Sequence, residues 1–441
     1  MSNVHIIGGG LAGSEAAWQA LQQGCTVHLY EMKPSKRSPA HKSDGLAELV
    51  CSNSLKSLSE ASAPGLLKKE MQALDSLILK AALKAKVPAG QALAVNREIF
   101  SSEVMAELNA FTNFTLHQRE VTEIPADLHD YHENDPIVVA TGPLTSNALA
   151  EHVRHLLSSN DDLYFYDAIA PVVSGESLDR SIIYQASRWD DGPGDYLNIP
   201  LSKEDYDQFI DAVLAAEIMP LHEFEEPKYF ESCLPIEVMI ERGRDTLRFG
   251  PMKPVGLTDP RTDRWAYANV QLRMEDRQGE MFSMVGFQTK LKWPDQKRIF
   301  SALPGMSDVE FYKMGSVHRN TYINSPELLD ERLCVKNQSL PLYFAGQITG
   351  VEGYTESAAI GLLAGRFAAA HVKNEVFTAP PPVTMMGALH DHVTKGTKGD
   401  FVPMNANLGL LPTIPKQKGV GKPQRKKMQC DKAWDSFNAY L

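Results

Sequence analysis

The sequence predicts an α/β fold in which a Rossmann-like nucleotide-binding domain carries an inserted, mainly β second domain. Three observations predict it. A strand, glycine turn, helix and strand open the chain; a second glycine-rich strand-loop-helix lies at Leu342–Gly365; and between them run short, charge-rich β-like segments.

The opening unit is "VHIIGGGLAGSEAAWQALQQGCTVHLYE". Val4–Ile7 reads as a buried strand, Leu11–Gln23 as a helix and Thr26–Tyr30 as the next strand. Gly8, Gly10 and Gly13 supply the tight turn, the close approach of backbone to a pyrophosphate, and close helix packing, with the helix N-terminus facing the anion. Gly8, Gly9, Gly10, Leu11, Ala12 and Gly13 therefore form the first candidate cofactor site. Glu31 ends the second strand 18 residues after Gly13, where a carboxylate can accept hydrogen bonds from an adenosine ribose.

Cys51, in "AELVCSNSLKS", follows a short apolar run and precedes Ser52, Asn53 and Ser54, which read as helix caps. A thiol at a helix start is acidic and reactive. Next, "PGLLKKEMQALDSLILKAAL" predicts an amphipathic helix opening at Pro64, with Leu67, Met71, Leu74, Ile78 and Ala81 on its buried face. "PIVVATGPL", Pro136–Leu144, reads as a buried strand that returns the chain to the nucleotide-binding sheet.

From about Ser174 the texture changes to shorter β-like runs, including "IEVMIERGRDTLRFGPMKPVGL" and "MFSMVGFQTKLKW". The expected division is residues 1–174 and 306–441 as two parts of the nucleotide-binding domain, with 175–305 inserted. The insert holds no second GxGxxG, so a nicotinamide donor is not expected to have its own Rossmann domain. In "LYFAGQITGVEGYTESAAIGLLAG" a strand ends at Gly346, a glycine-rich loop follows, and Ser357 is the expected cap of a helix whose Gly361 and Gly365 permit close packing. A second such loop suits the ribityl and ring end of a flavin. Gly346, Gln347, Ile348 and Thr349 are its candidate contacts.

Of the 441 residues, 43% are hydrophobic and 22% charged, a globular composition, and no apolar run approaches bilayer length. Without a basic leader after Met1, the expectation is a cytoplasmic protein with no membrane partner. The five cysteines, Cys25, Cys51, Cys233, Cys334 and Cys430, are widely spaced without a CxxC pair, so thiols are expected rather than disulfides or a zinc site. "HDH", His390–His392, lacks companion ligands and reads as a surface pair. The net charge of −11 does not exclude nucleic acid, because phosphates sense charge within about 8 Å. Lys416–Lys427, "KQKGVGKPQRKK", is locally basic and free of acids; Lys33, Lys36, Arg37 and Lys42 form a weaker cluster.

Taken together, "GGGLAGSEAA", "ELVCSNSLKS", "ESCLPIEVMIERGRDTLRFGPMKPVGL", "VGFQTKLKW", "HRNTYINSP" and "GQITGVEGYTESAA" resemble the folate- and FAD-dependent tRNA uridine methyltransferase family, TrmFO. The resemblance runs from the first glycine turn to the basic tail. It implies that reduced FAD takes a methylene from 5,10-methylenetetrahydrofolate and passes it to C5 of the T-loop uridine, position 54, of tRNA, with NAD(P)H completing reduction to methyl. Such chemistry needs a thiolate that adds to uracil C6 and a base that removes the C5 proton. Cys51 and Cys233 fit those demands, Cys233 as the C6 nucleophile and Cys51 at C5, with the exchanged roles open. His318, Arg319, Asn320 and Tyr354 are candidates for lining the folate or flavin site; Arg242 and Arg244 are candidates for tRNA phosphates. Gln347 stands where the wider flavoprotein superfamily places an Asp, so generic flavin contacts do not transfer directly to this loop. Rival readings are the larger flavoprotein that modifies wobble uridines and a non-catalytic tRNA-binding flavoprotein.

Overall fold

The structure, a computed structural model, describes residues 3–38, 40–157, 163–189, 192, 194–219, 234–275, 279–396, 401, 403–415 and 419–441; for 163–169 and 316–321 it describes backbone alone. Five strands form an all-parallel sheet: β1 (Asn3–Ile7), β2 (Thr26–Glu31), β6 (Phe114–Gln118), β7 (Ile137–Val139) and β16 (Leu342–Phe344), in the order β16-β7-β1-β2-β6. β1, β2, β7 and β16 are buried on both faces, as their apolar runs require, whereas the edge strand β6 is only partly covered. One face packs on the helices Leu11–Gln22 and Tyr354–Lys373; the other packs on Val121–Leu128 and the helix Asn147–Leu157. The two long helices meet at glycines. A Cβ at Gly361 would stand 2.3 Å from Ala12 O, and one at Gly365 2.4 Å from Ala16 O.

A second hydrophobic core surrounds a six-stranded sheet of β9 (Val172–Ser174), β10 (Tyr184–Gln185), β11 (Tyr196–Leu201), β12 (Ala268–Met274), β13 (Met281–Met284) and β14 (Phe311–Lys313), antiparallel at each pairing. β9 and β14, its first and last strands in chain order, lie on either side of the 175–305 interval. Between them fall the helices Lys203–Leu214, Ile236–Glu241, Thr246–Phe249 and Trp293–Ser301. "IEVMIE" and "TLRF", read as β-like, are therefore helical. Ile236 and Ile240, four residues apart, are both buried, a helical spacing that the short run disguises. Two strands link the cores, β8 (Leu163–Ile169) and β15 (Ser316–Tyr322), paired antiparallel. A small sheet joins β3 (Ser54–Ser57), β4 (Lys86–Val87) and β5 (Ala92–Val95).

The amphipathic segment after Cys51 is two helices, Ala63–Ala73 and Leu77–Lys84. Asp75 at φ 58° breaks the run, and Ser76 restarts it by accepting from Leu79 N–H at 3.3 Å. All five expected apolar positions are nonetheless buried. Among the described residues, no helix is long and apolar enough to cross a membrane.

Candidate active site

The carboxyl ends of β1, β2, β7 and β16 converge, the position where open parallel sheets bind ligands. β1 runs into Gly8 at φ 104°, where a Cβ would lie 2.6 Å from Ala140 O; at Gly13 it would lie 1.8 Å from Gly8 O. Those two glycines serve the fold itself. Gly10 differs, because a Cβ there would meet nothing within 4 Å, so its backbone borders open space. The helix starting at Leu11 has neither a side-chain cap nor an acid in its first turn, which leaves its N–H groups for an anion. Buried Glu31 accepts from Gly9 N–H at 3.0 Å through Oε2 and from Lys33 N–H at 3.0 Å through Oε1. Each oxygen retains acceptor capacity toward the same cavity. Arg119, Thr141 and Thr145, which are not among the sequence candidates, also line it. This half suits an adenosine diphosphate moiety.

The second glycine loop lies against the first. Gly346 has φ 79°, and a Cβ there would come 2.6 Å from Ala12 Cβ. Gln347 lines a cavity of ≈310 Å³, while Ile348 and Thr349 are buried. Thr349 Oγ1 closes the turn by donating to Gly346 O at 2.7 Å. The following helix starts at Tyr354 behind Gly353, three residues before the expected Ser357 cap. Gly353 at φ 121° makes the earlier start possible.

Cys51 borders that cavity but does not start a helix. Ser54–Ser57 is strand β3, and the next helix begins at Ala63 behind Ser62. The helix beside the thiol is instead the one beginning at Tyr354, 303 residues further along. Tyr354 Oη accepts from Cys51 N–H at 2.8 Å and from Ser52 N–H at 3.1 Å, and lies 3.0 Å from Cys51 Sγ. Two donors fill the acceptor capacity of the phenol oxygen, so its own proton points to sulfur. Burial, then the adjacent Cys51, holds the phenol well above its usual range, so it remains a donor.

The second core clamps the same loop. Arg273 Nε donates to Asn53 Oδ1 at 2.9 Å and Nη2 to Ser52 Oγ at 2.8 Å; Asn53 Nδ2 donates to Met274 O at 3.0 Å. Lys313 Nζ donates to Val50 O at 2.7 Å. Burial, followed by the cations Arg97 and Lys42, pushes Lys313 down to about 8. Arg273, also lowered by burial, lines the cavity with Ser283 and Gly286 of the second core. The site is thus a cleft between two sheets. A thiol projects into it beside one phenol and one guanidinium.

The other sequence candidates fall elsewhere. Cys233 lies outside the described residues. His318, Arg319 and Asn320 sit on β15, opposite Asp167, Tyr166 and Phe165, with backbone alone described. Arg242 and Arg244 follow the helix Ile236–Glu241 and do not line the cavity; Arg244 Nη1 lies 2.6 Å from Asp211 Oδ1. Cys25, Cys334 and Cys430 are buried free thiols, and burial pushes Cys334 up to about 11. His390 is not a surface residue. It is buried, with Nε2 2.8 Å from Glu331 O. The weaker basic cluster is largely committed to acids, Lys33 to Glu48, Lys36 to Glu120 and Arg37 to Asp44.

Comparison with known proteins gives this geometry a family. The model of the family GIDA, glucose inhibited division protein A, matches residues 3–376. A Desulfotalea psychrophila protein described as "Methylenetetrahydrofolate--tRNA-(uracil-5-)-methyltransferase TrmFO" is 53% identical over 417 residues, 95% of this chain and 92% of its own. A Geobacter sulfurreducens protein of the same description is 52% identical, covering 99% of this chain and 98% of its own. The Aquifex aeolicus GidA crystal structure, form II, superposes with a TM-score of 0.69 at 16% identity, over 99% of this chain and 73% of that one. At that identity the superposition speaks to the fold alone. The open backbone at Gly10, the uncapped helix start and the Glu31 carboxylate fit FAD, and the full-length identities show that the chain belongs to the TrmFO family within the GidA group of flavoproteins.

Proposed function

We propose that the chain methylates C5 of the T-loop uridine, position 54, of tRNA, with 5,10-methylenetetrahydrofolate as one-carbon donor and NAD(P)H as reductant. The observation that carries this reading is identity of about half along nearly the full length to relatives bearing that activity as their name. FAD, when bound, would supply the redox chemistry of the transfer; Gly8–Gly13 and Glu31 would hold its adenosine diphosphate end, and Gln347 would face its ring end.

Uracil C5 is a poor nucleophile until a thiolate adds to C6. The S–C6 bond then forms, and the C5=C6 pair moves into an enolate that lets C5 bond to the one-carbon unit. A base removes the C5 proton, the returning pair expels the thiolate, and a hydride equivalent whose electrons come from NAD(P)H replaces the bond between the new methylene and its carrier to leave methyl. Cys233 is assigned the addition and Cys51 the proton removal. Tyr354 holds Cys51 by both its backbone and its sulfur, and the donated phenol proton stabilises the charged thiolate. The tRNA substrate implies the cytoplasm.

The test is incubation of the FAD-bound protein with unmodified tRNA, methylenetetrahydrofolate and NAD(P)H, followed by nucleoside analysis. The expected product is 5-methyluridine in the T-loop. Modification at the wobble position, or none, would overturn the reading.

A salt prediction follows from the tail. Lys422–Tyr440 is a helix whose Cys430, Ala433 and Phe437 are buried in the first core, so deleting it would damage the fold. Substitution at exposed positions is cleaner. Lys422→Gln and Lys426→Gln should each reduce the slope of log affinity for tRNA against log salt by about 1, without loss of FAD. An unchanged slope would remove this helix from the RNA surface.

A further inference from the structure

An array of histidines lies on the parallel-sheet face away from the helices Leu11–Gln22 and Tyr354–Lys373. Strand alternation puts His5, His28 and Tyr30 there with Ile7, Ile137 and Val139, and His117 joins them because it registers opposite Tyr30. His129 comes from the segment that crosses this face. Their rings form a continuous row, stacked from His5 to His117 and tilted at His129. His5 lies 5.1 Å from His28, His28 5.3 Å from His117, and His117 5.4 Å from His129.

Ordinary packing does not call for so many imidazoles on a half-covered sheet face, where each buried polar nitrogen must be satisfied. Here the nitrogens converge. One ring nitrogen from each of His28, His117 and His129 lies within 4.8 Å of the other two. His28 Nδ1 and His117 Nε2 are 3.0 Å apart, whereas two imidazole nitrogens on one tetrahedral zinc stand about 3.3 Å apart. We propose that His28, His117 and His129 bind one divalent transition-metal ion of the zinc class.

The surroundings support such a site. Asp130 Oδ2, 3.1 Å from His129 Nδ1, supplies a carboxylate to offset the ion's charge. Tyr30 Oη accepts from His129 N–H at 2.8 Å and lies 3.2 Å from His5 Nδ1, fixing the third ligand's backbone and the ring stacked on His28. His129 is more than half exposed, so an ion can enter from solvent and retain a water ligand. The donors come from β2, β6 and the covering segment. A bound ion would therefore cross-link elements 89 residues apart in the chain.

The experiment uses the FAD-bound protein stripped with a chelator. It is titrated with Zn²⁺ by calorimetry and with Co²⁺ by visible absorption, in the wild type, His28→Gln, His129→Ala and Cys51→Ala. One ion per chain is expected. The Co²⁺ spectrum should show imidazole coordination without sulfur charge transfer, and Zn²⁺ should raise the Tm. Both histidine variants should lose at least about tenfold in affinity, and Cys51→Ala should lose none. His129→Ala removes an exposed side chain, so an unchanged metal-free Tm will certify its fold. Absence of saturable binding, wild-type affinity in both histidine variants, or loss only in Cys51→Ala would overturn the proposal.

Discussion

Cys51→Ala should leave the protein folded and yellow while lowering 5-methyluridine formation by about 10²–10⁴, the range expected for loss of a positioned base. The contacts around Cys51 make this a clean substitution. Tyr354 is held by the N–H groups of Cys51 and Ser52, Arg273 by Ser52 and Asn53, and Lys313 by Val50 O, none of which is the sulfur. Among the described residues, the contact between Sγ and Tyr354 Oη is lost. Tyr354→Phe is a useful contrast, because it strips the acceptor from two backbone donors, at a cost of about 1–3 kcal/mol, and should disturb the loop as well as the rate. Target RNA carrying 5-fluorouridine then separates the two thiols, since fluorine blocks proton removal at C5. On the assignment made above, Cys51→Ala still forms a denaturation-resistant adduct and Cys233→Ala does not. The reverse pattern exchanges the roles, and full methylation by both variants would eliminate the two-thiol scheme.

The second large effect is expected at the first turn. Gly10→Val should abolish FAD retention through gel filtration while changing the Tm of the flavin-free protein little. Beyond its own chain neighbours, no protein atom lies within 4 Å of a Cβ at Gly10, and the residue's φ of −74° suits any amino acid. Whatever the added side chain obstructs must therefore be ligand. An overpacked contact costs about 1–3 kcal/mol, a loss of roughly 5- to 150-fold in affinity. Gly13→Ala would be uninformative, since its Cβ would collide with Gly8 O and damage the turn itself. Full flavin occupancy in Gly10→Val would show that the pyrophosphate lies elsewhere.

The parallel sheet was legible because each of its signals is local: an apolar run, a glycine turn and an acid at a fixed spacing. The thiol site was legible only in its residue type. "CSNS" offers caps, but the chain spends it on a strand, and the tyrosine that orients the sulfur comes from the far end of the sequence. No local pattern carries such a pairing. One missed residue did have a signal. In β12, Ala268, Val270 and Leu272 face the second core, while Asn269, Gln271 and Arg273 fall on the other face, a polar stripe of period two on a buried strand. Asn269 and Gln271 bond Asn198, and Arg273 reaches across to Asn53. The short helices of the second core hid for the opposite reason, since six and four residues are too few to display a helical period.

Gly361 and Gly365 press the helix Tyr354–Lys373 against the helix Leu11–Gln22, and β16 completes the sheet beside β7. The order in which a ribosome delivers these pieces has a consequence for the cofactor. The first glycine turn emerges almost at once, yet the helix behind it lacks its glycine-packed partner Tyr354–Lys373, and the loop bearing Gln347 does not exist, until about four fifths of the chain has been made. A nascent chain halted before Gly346 therefore has an adenosine-binding turn without a ring-binding wall. Flavin capture belongs to the end of synthesis, and a truncated product, however well its first strands pair, carries Cys51 without the cofactor-binding wall beside it.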